Sequence, residues 1–361
     1  MVLVYWLLFA FFAAGAMIAE PVFAPAATGA QAPPSKAHHT PFRLFFAIGA
    51  IATVLLIGLR FKVGADWANY LVIFNGTKVQ SVTSAVANGD PAYQFLNWFA
   101  NQVGATIWLV NLLSAAIFGW GLYRLCSVQP SPWLAFAVAV PYMVIVVAMG
   151  YTRQSIALGV LMAGLARQSR GAGTLNFAIY VAVAAAFHKT AVVMFPLVAL
   201  SGKGSRLVNF LLAVSASILM YDFFLGDSMD VLVRNYIDTE YSSQGALTRC
   251  SMNFLAAVLL WIFKDRLGLD RHEFKIWRNF GLASLLSMIL LGVLSSSTVI
   301  DRLSLYLIPL QIVVLTRVAL LGASRLAGTA LVLAYSFSIQ FVWLNFADHA
   351  RYWVPYQLFK F

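Results

Sequence analysis

Apolar runs of roughly membrane length alternate with short polar breaks along almost the whole chain. A bilayer-crossing helix needs about 20 largely apolar residues. Segments of that kind fall at 1–19, 42–59, 102–123, 132–149, 152–168, 206–225, 250–263, 277–297, 303–320 and 325–345. The run 174–200 is different. It is too long for one comfortable span, and His188-Lys189 interrupts its middle. It predicts two short arms, 174–187 and 189–200, that turn at or near the outer surface. The pattern as a whole predicts an all-α polytopic integral membrane protein of about twelve crossings, short and broken helices included. It forms one transmembrane domain over 1–361 with a cavity on the extracytoplasmic side, an arrangement that leaves a GT-C-like architecture open.

Composition agrees with that pattern. Hydrophobic residues make up 61% of the chain and charged residues 10%, whereas a water-soluble domain runs near about 45–50% apolar. The net charge of +11 then needs an explanation. With 174–200 counted as two arms, most of the basic residues gather on one side, around 36–43, 124, 167–170, 203–206, 264–278 and 317–325. Only Glu20, Asp265, Asp270 and Glu273 accompany them. That is the asymmetry of inner loops. The positive charge reflects membrane orientation and requires no nucleic-acid partner. Both termini fall outside. The first segment lacks a basic leader region and reads as a membrane helix rather than a cleaved signal.

The stretch 20–41, rich in Ala and Pro, reads as an irregular inner loop, and its His38-His39 pair is too little for a metal site. Cys126 and Cys250 fall on opposite sides, which argues against a disulfide. The chain carries no phosphate-binding loop, dinucleotide fingerprint, metal-ligand spacing or clear internal repeat.

The remaining polar residues collect at helix ends on the outer side, where ionisable groups are costly unless they serve a site. Arg60 closes one segment and is followed by Lys62, Gly64, Asp66, Tyr70 and Phe74. The last three are four apart and share a helix face; with Trp67 they suggest an interfacial helix within an outer loop over 60–101. Asp90 before Pro91 reads as a helix N-cap with proline at the first turn, followed by Tyr93 and Asn97.

Arg153 sits in the short turn Gly150-Tyr151-Thr152-Arg153-Gln154, and a guanidinium is suited to bidentate phosphate binding. His188 and Lys189 occupy the break between the two arms, where loose backbone ends are tolerated if they face protein or a cavity. Asp301-Arg302 opens another helix, with Tyr306 one turn on. A second outer loop, 226–249, is acidic and aromatic, in keeping with sugar contacts, a lid or a solvated linker. Each residue has a bland reading as a cap, a snorkelling cation or a headgroup anchor. Their gathering on one face is the informative feature.

Taken in order, the residues form a recognisable series. Arg60-x-x-x-Gly64-x-Asp66-x-x-x-Tyr70 is followed by Asp90-Pro91-x-Tyr93, then Arg153-Gln154-x-x-Ala157. Phe187-His188-Lys189-x-Ala191 with Pro196 comes next, and Arg302-x-x-x-Tyr306 comes last. Over roughly 45–320 the chain resembles the EpsG family, polytopic Wzy-like polymerases of bacterial exopolysaccharides. Two positions depart from the family pattern: Asp90 stands where Glu is usual before the tyrosine, and Lys189 follows the histidine where a small polar residue is common.

The resemblance implies a glycosyltransferase of the bacterial inner membrane with its active site on the extracytoplasmic face. Such an enzyme transfers a growing glycan from undecaprenyl diphosphate to the non-reducing end of the next lipid-linked repeat unit. Its partners would be the undecaprenyl-diphosphate-linked oligosaccharide, membrane lipids, a flippase and a chain-length regulator. No nucleotide sugar, cofactor or metal is called for.

On that reading Arg153 and Arg60 neutralise the leaving diphosphate, assisted by His188, Lys189 and Arg302. Asp66 is the base for the acceptor hydroxyl, with Asp90 and Asp301 as rivals. Tyr70, Tyr93 and Tyr306 line the sugar path. A flippase or transporter of lipid-linked oligosaccharide and a glycan ligase are the rival readings. The first should place polar groups along a midplane path, whereas these lie at outer helix ends.

Overall fold

The computed structural model describes residues 2–18, 40–202, 207, 211, 214–215, 218, 245–293 and 297–360. The expected inner loop 20–41, the helix 206–225 and the outer loop 226–249 lie almost wholly outside these residues. Among the described residues the regular structure is all-α. In order the helices are α1 (Leu3–Ile18), α2 (Thr40–Gly58), α3 (Trp67–Gly76), α4 (Val82–Ala87), α5 (Pro91–Gln102), α6 (Ile107–Cys126) and α7 (Pro132–Ala139). They continue as α8 (Thr152–Gln168), α9 (Thr174–Phe187), α10 (Met194–Ala199), α11 (Ala246–Ile262) and α12 (Arg271–Val293). The last three are α13 (Ser297–Ser304), α14 (Pro309–Val318) and α15 (Arg325–Phe346).

Local chemistry explains most of the boundaries. Gly104, with φ +68°, separates the amphipathic α5 from α6, so the span expected from 102 begins five residues later. Asp270 starts α12 by accepting from His272 N at 2.7 Å and Glu273 N at 2.8 Å, while Glu273 reaches back to Asp270 N. That is a capping box, and it sets the helix start at Arg271 rather than 277. Pro141 removes an N–H from the segment after α7, and the chain continues there as a wider π-helix over Val140–Ala148. The expected span 303–320 is not one helix. It begins at Ser297, passes through a 3-10 turn (Leu305–Leu307) and bends by 49° before α14, which opens on Pro309. Asp301 and Arg302 therefore lie within α13 instead of opening a helix.

The arms of 174–200 are separate, as expected. α9 ends at Phe187, His188 is extended (φ −157°, ψ 110°), and a 3-10 turn (Lys189–Val193) leads into α10. Three helices, α6, α12 and α15, are each long and apolar enough to cross a bilayer, and the bent pair α13–α14 makes a fourth. α1, α2, α7 with its π-helical extension, α9, Lys189–Ala199 and α11 are apolar but shorter. Several helices of crossing length make this a multi-pass membrane protein. The figure of about twelve crossings asks more of the shorter helices than their length alone provides.

Two close approaches position the polar region. A methyl group on Gly121 of α6 would collide with the Gly159 carbonyl of α8, so these two helices pack backbone to backbone. The C-terminal tail, which drew no expectation from the sequence, docks across the end of α2. Phe61 N donates to Gln357 O at 2.8 Å and Phe359 N to Leu59 O at 2.7 Å. Trp353 is buried, and its indole donates to Ile145 O of the π-helix at 2.7 Å.

This clamp holds the chain from Leu59 to Gly64. Gly64 has φ +106° and lies against the Met149 carbonyl just before α8. Gly64→Ala adds both backbone strain and a clash. It is expected to cost about 1–3 kcal/mol, read as a lowered midpoint in thermal unfolding of the purified protein; an unchanged midpoint would deny this contact its structural role.

Candidate functional site

Four chain segments deliver the polar residues to one place. The N-cap and first turn of α8 carry Tyr151, Arg153 and Gln154, the break after α9 supplies His188, the start of α3 supplies Asp66, and α13 supplies Arg302. Together with Tyr70 these side chains line a cleft of about 50 Å³. That is well below the roughly 300–1,000 Å³ of clefts that enclose small molecules. A larger substrate must therefore meet these groups at the open side, where the Arg153 side chain is 39% exposed.

Asp90 is the organiser behind the cleft. It stands at the N-cap of α5 with Pro91 after it, as the sequence predicts, but its carboxylate makes no bond to its own helix. It accepts instead from Arg153 Nη1 at 2.8 Å and from Lys189 N at 3.1 Å. His188 Nδ1 lies 3.5 Å from the same oxygen that Arg153 contacts. One buried carboxylate, 6% exposed, thus fixes a guanidinium, an imidazole and the backbone of the α9 break. Asp66 is likewise at an N-cap without capping. Its nearest cation is Arg302, at 4.0 Å, a distance at the outer limit of an ion pair.

Arg302 is held by a chain of contacts. Its guanidinium lies over the Tyr151 ring, 4.0 Å from the centroid, a cation–π geometry. Its backbone carbonyl accepts from Gln154 Nε2 at 2.7 Å. Arg249 bonds the Tyr151 hydroxyl at 3.5 Å and forms a buried ion pair with Asp301. On the opposite wall, Tyr70 accepts from Arg153 N at 3.4 Å and packs edge-on against Tyr93.

The two carboxylates differ in electrostatic character. Burial pushes the Asp66 carboxyl above its usual value, and the Arg302 and Arg153 charges only partly pull it back. Burial also acts upward on Asp90, but the neighbouring His188 imidazole, the Arg153 charge and the Lys189 N–H outweigh it. Asp90 ends below the usual carboxylate value. Asp66 is thus the better proton acceptor, and Asp90 the fixed anion. Asp90→Asn is expected to lower turnover about 10²-fold by releasing Arg153 and His188 from their geometry, while the acid side of the pH profile stays where Asp66 sets it. An Asp90→Asn enzyme that loses this acid side would instead make Asp90 the titrating group.

Of the residues expected from sequence, Asp66, Tyr70, Arg153, His188 and Arg302 line the cleft, and Asp90 stands directly behind it. Arg60 does not reach it. It is 1% exposed and spends its guanidinium on Ile57 O at 2.6 Å, Val63 O at 3.3 Å and Thr152 Oγ1 at 2.8 Å. It braces the start of α8 from behind rather than facing a substrate.

Lys189 contributes its backbone N–H to Asp90. Tyr93 is buried behind Tyr70, Tyr306 is buried with its hydroxyl 3.1 Å from that of Thr190, and Asp301 is buried against Arg249. None of these four lines the cleft. Tyr151, Gln154 and Arg249 were given no role by the sequence, although Gln154 stands in the Arg153-Gln154 motif. Tyr151 and Gln154 flank Arg153 closely enough to have been inferred from it. Arg249 was hidden by its assignment to a loop; it lies in the first turn of α11.

These features define a class: an all-α, multi-pass membrane protein whose helix ends deliver paired guanidinium, imidazole and carboxylate groups to one cleft. The EpsG family model matches residues 43–358, and the chain belongs to the EpsG family. Membership implies a role in exopolysaccharide biosynthesis. The match takes in all five motifs and extends beyond 320 through α15 and most of the C-terminal tail. No curated protein and no solved structure matches the chain.

Proposed function

We propose that this protein is an exopolysaccharide polymerase working on the outer face of the bacterial inner membrane. The donor is a growing glycan on undecaprenyl diphosphate, and the acceptor is the non-reducing end of a lipid-linked repeat unit. The observation that carries this reading is the meeting of Asp66, Arg153, His188 and Arg302 in one cleft.

In the reaction, the anomeric carbon–oxygen bond to the lipid diphosphate breaks and its electron pair leaves with the diphosphate. The acceptor hydroxyl oxygen forms the new bond to that carbon, and its proton passes to the Asp66 carboxylate. Arg153 and Arg302 neutralise the charge that develops on the leaving group, the kind of preorganised stabilisation that lowers such a barrier most. His188, held against Asp90, donates to the diphosphate or returns a proton to it. Tyr70 borders the cleft where the sugars would pass, and Tyr151 holds the Arg302 guanidinium over its ring. Asp90 acts through Arg153 and His188 as a positioning residue, and Asp301 stays out of the chemistry because Arg249 already holds it.

The test is reconstitution of the full chain in vesicles with defined undecaprenyl-diphosphate-linked repeat units, followed by gel separation of the glycans. A ladder of lengths is expected. Movement of intact units across the bilayer without elongation would make the protein a flippase, and a single transfer to a different acceptor would make it a ligase; either result overturns the polymerase reading.

A further inference from the structure

Beside the polar cleft lies an apolar cavity of about 470 Å³ between the π-helix, α11 and α15. Its walls include Tyr142, Val146, Met252, Ile339, Val342 and Phe346. The α15 contributors follow a three- and four-residue spacing, so one stripe of that helix faces the space. Tyr151 lines this cavity and also lines the polar cleft. One face of its ring carries the Arg302 guanidinium, so a single side chain forms the partition between a cationic compartment and an apolar one. Arg249 also borders the cavity, but its charge is matched by Asp301. At the rim, Val342 is 53% and Phe346 71% exposed, so the approach along α15 is apolar, while Asp348 and His349 border the cavity just past the end of that helix.

A cation-lined cleft joined through one aromatic side chain to an apolar cavity of ligand size matches an amphiphile with an anionic head and a long hydrocarbon tail. We propose that this cavity holds the first isoprene units of the polyprenyl diphosphate, with Tyr151 at the junction of head and tail. The proposal rests on the polymerase reading for the identity of the lipid, and it adds the place where the tail lies. The diphosphate sits beside Arg153 and Arg302, and the chain runs between α11 and α15 to the rim at Val342 and Phe346, away from Leu331.

The experiment uses the full chain in nanodiscs and an undecaprenyl diphosphate analogue bearing a diazirine within its first isoprene units. Photolabelled peptides from α11 and α15 are expected, with labelling competed away by unmodified undecaprenyl diphosphate. Ile339→Trp, which fills the cavity, is expected to weaken undecaprenyl diphosphate binding about ten-fold or more, whereas Leu331→Trp on the exposed face of the same helix keeps wild-type affinity. Labels confined to other helices, or full affinity in a folded Ile339→Trp protein, would overturn the tail site while leaving the polymerase reading standing. Labelling of the cavity by a diazirine phospholipid that undecaprenyl diphosphate does not displace would assign the space to bulk lipid and overturn it too. A wild-type protein that binds no undecaprenyl diphosphate at all would bring down both readings.

Discussion

Arg153→Ala is expected to abolish polymer while the protein remains in the membrane at normal level. The guanidinium has two duties. It bonds Asp90 at 2.8 Å, and its exposed side faces the open cleft where the leaving diphosphate would come. Loss of a preorganised donor to developing charge costs about 10²–10³ in rate. Here the same substitution also strips Asp90 of its principal side-chain cation, so His188 and the α9 break lose their fixed reference. The combined effect takes polymer below detection.

Arg153→Lys should recover only a fraction of the rate. A single ammonium cannot bond Asp90 and a phosphate oxygen with the fork geometry of a guanidinium. Immunoblots of the membrane fraction together with glycan gels read both quantities. Near-normal polymer from a well-expressed Arg153→Ala protein would remove this residue from the mechanism.

Asp66→Asn is the second large effect. The change preserves shape and removes only the capacity to accept a proton, so binding of the lipid-linked donor should persist while turnover falls about 10²–10⁴-fold. The pH dependence follows from the direction of the shift. Burial raises the Asp66 carboxyl, so the ionised, proton-accepting form is lost as pH falls through a value above about 3.9, the ordinary value for aspartate. Wild-type turnover should therefore decline on the acid side earlier than an exposed aspartate would dictate, and the residual rate of Asp66→Asn should lack that limb. Undiminished turnover in Asp66→Asn would end the base assignment and return the question to the neighbouring carboxylates.

The sequence told more about which residues mattered than about which way they pointed. The break at His188 was legible because two polar residues interrupt an otherwise apolar run. The N-cap position of Asp90 was legible from Pro91, whereas Asp66, expected on a helix face with Tyr70 and Phe74, stands at the N-cap just before the helix. Whether such a carboxylate bonds its own helix or reaches across to Arg153 is a tertiary matter, and nothing local decides it.

Arg60 shows the same limit in reverse. Its place at a helix end was plain, yet the neighbouring Ile57 and Val63 carbonyls and Thr152 consume its donors and turn it inward. Asp301 looked like part of a helix opening because the apolar run begins at 303. Asp301 lies inside the helix Ser297–Ser304, where it meets Arg249. The tail's role was illegible for a simpler reason: Trp353 and Tyr356 act through single hydrogen bonds to distant backbone carbonyls, which leave no periodic trace.

The most direct test of the account is a structure of the protein with a lipid-diphosphate-linked repeat unit bound. The account predicts diphosphate oxygens within about 2.7–2.9 Å of Arg153 and Arg302 donors and a sugar hydroxyl within hydrogen-bond reach of Asp66. A diphosphate seated at another part of the molecule, with Arg153, Arg302 and Asp66 all out of contact, would contradict it.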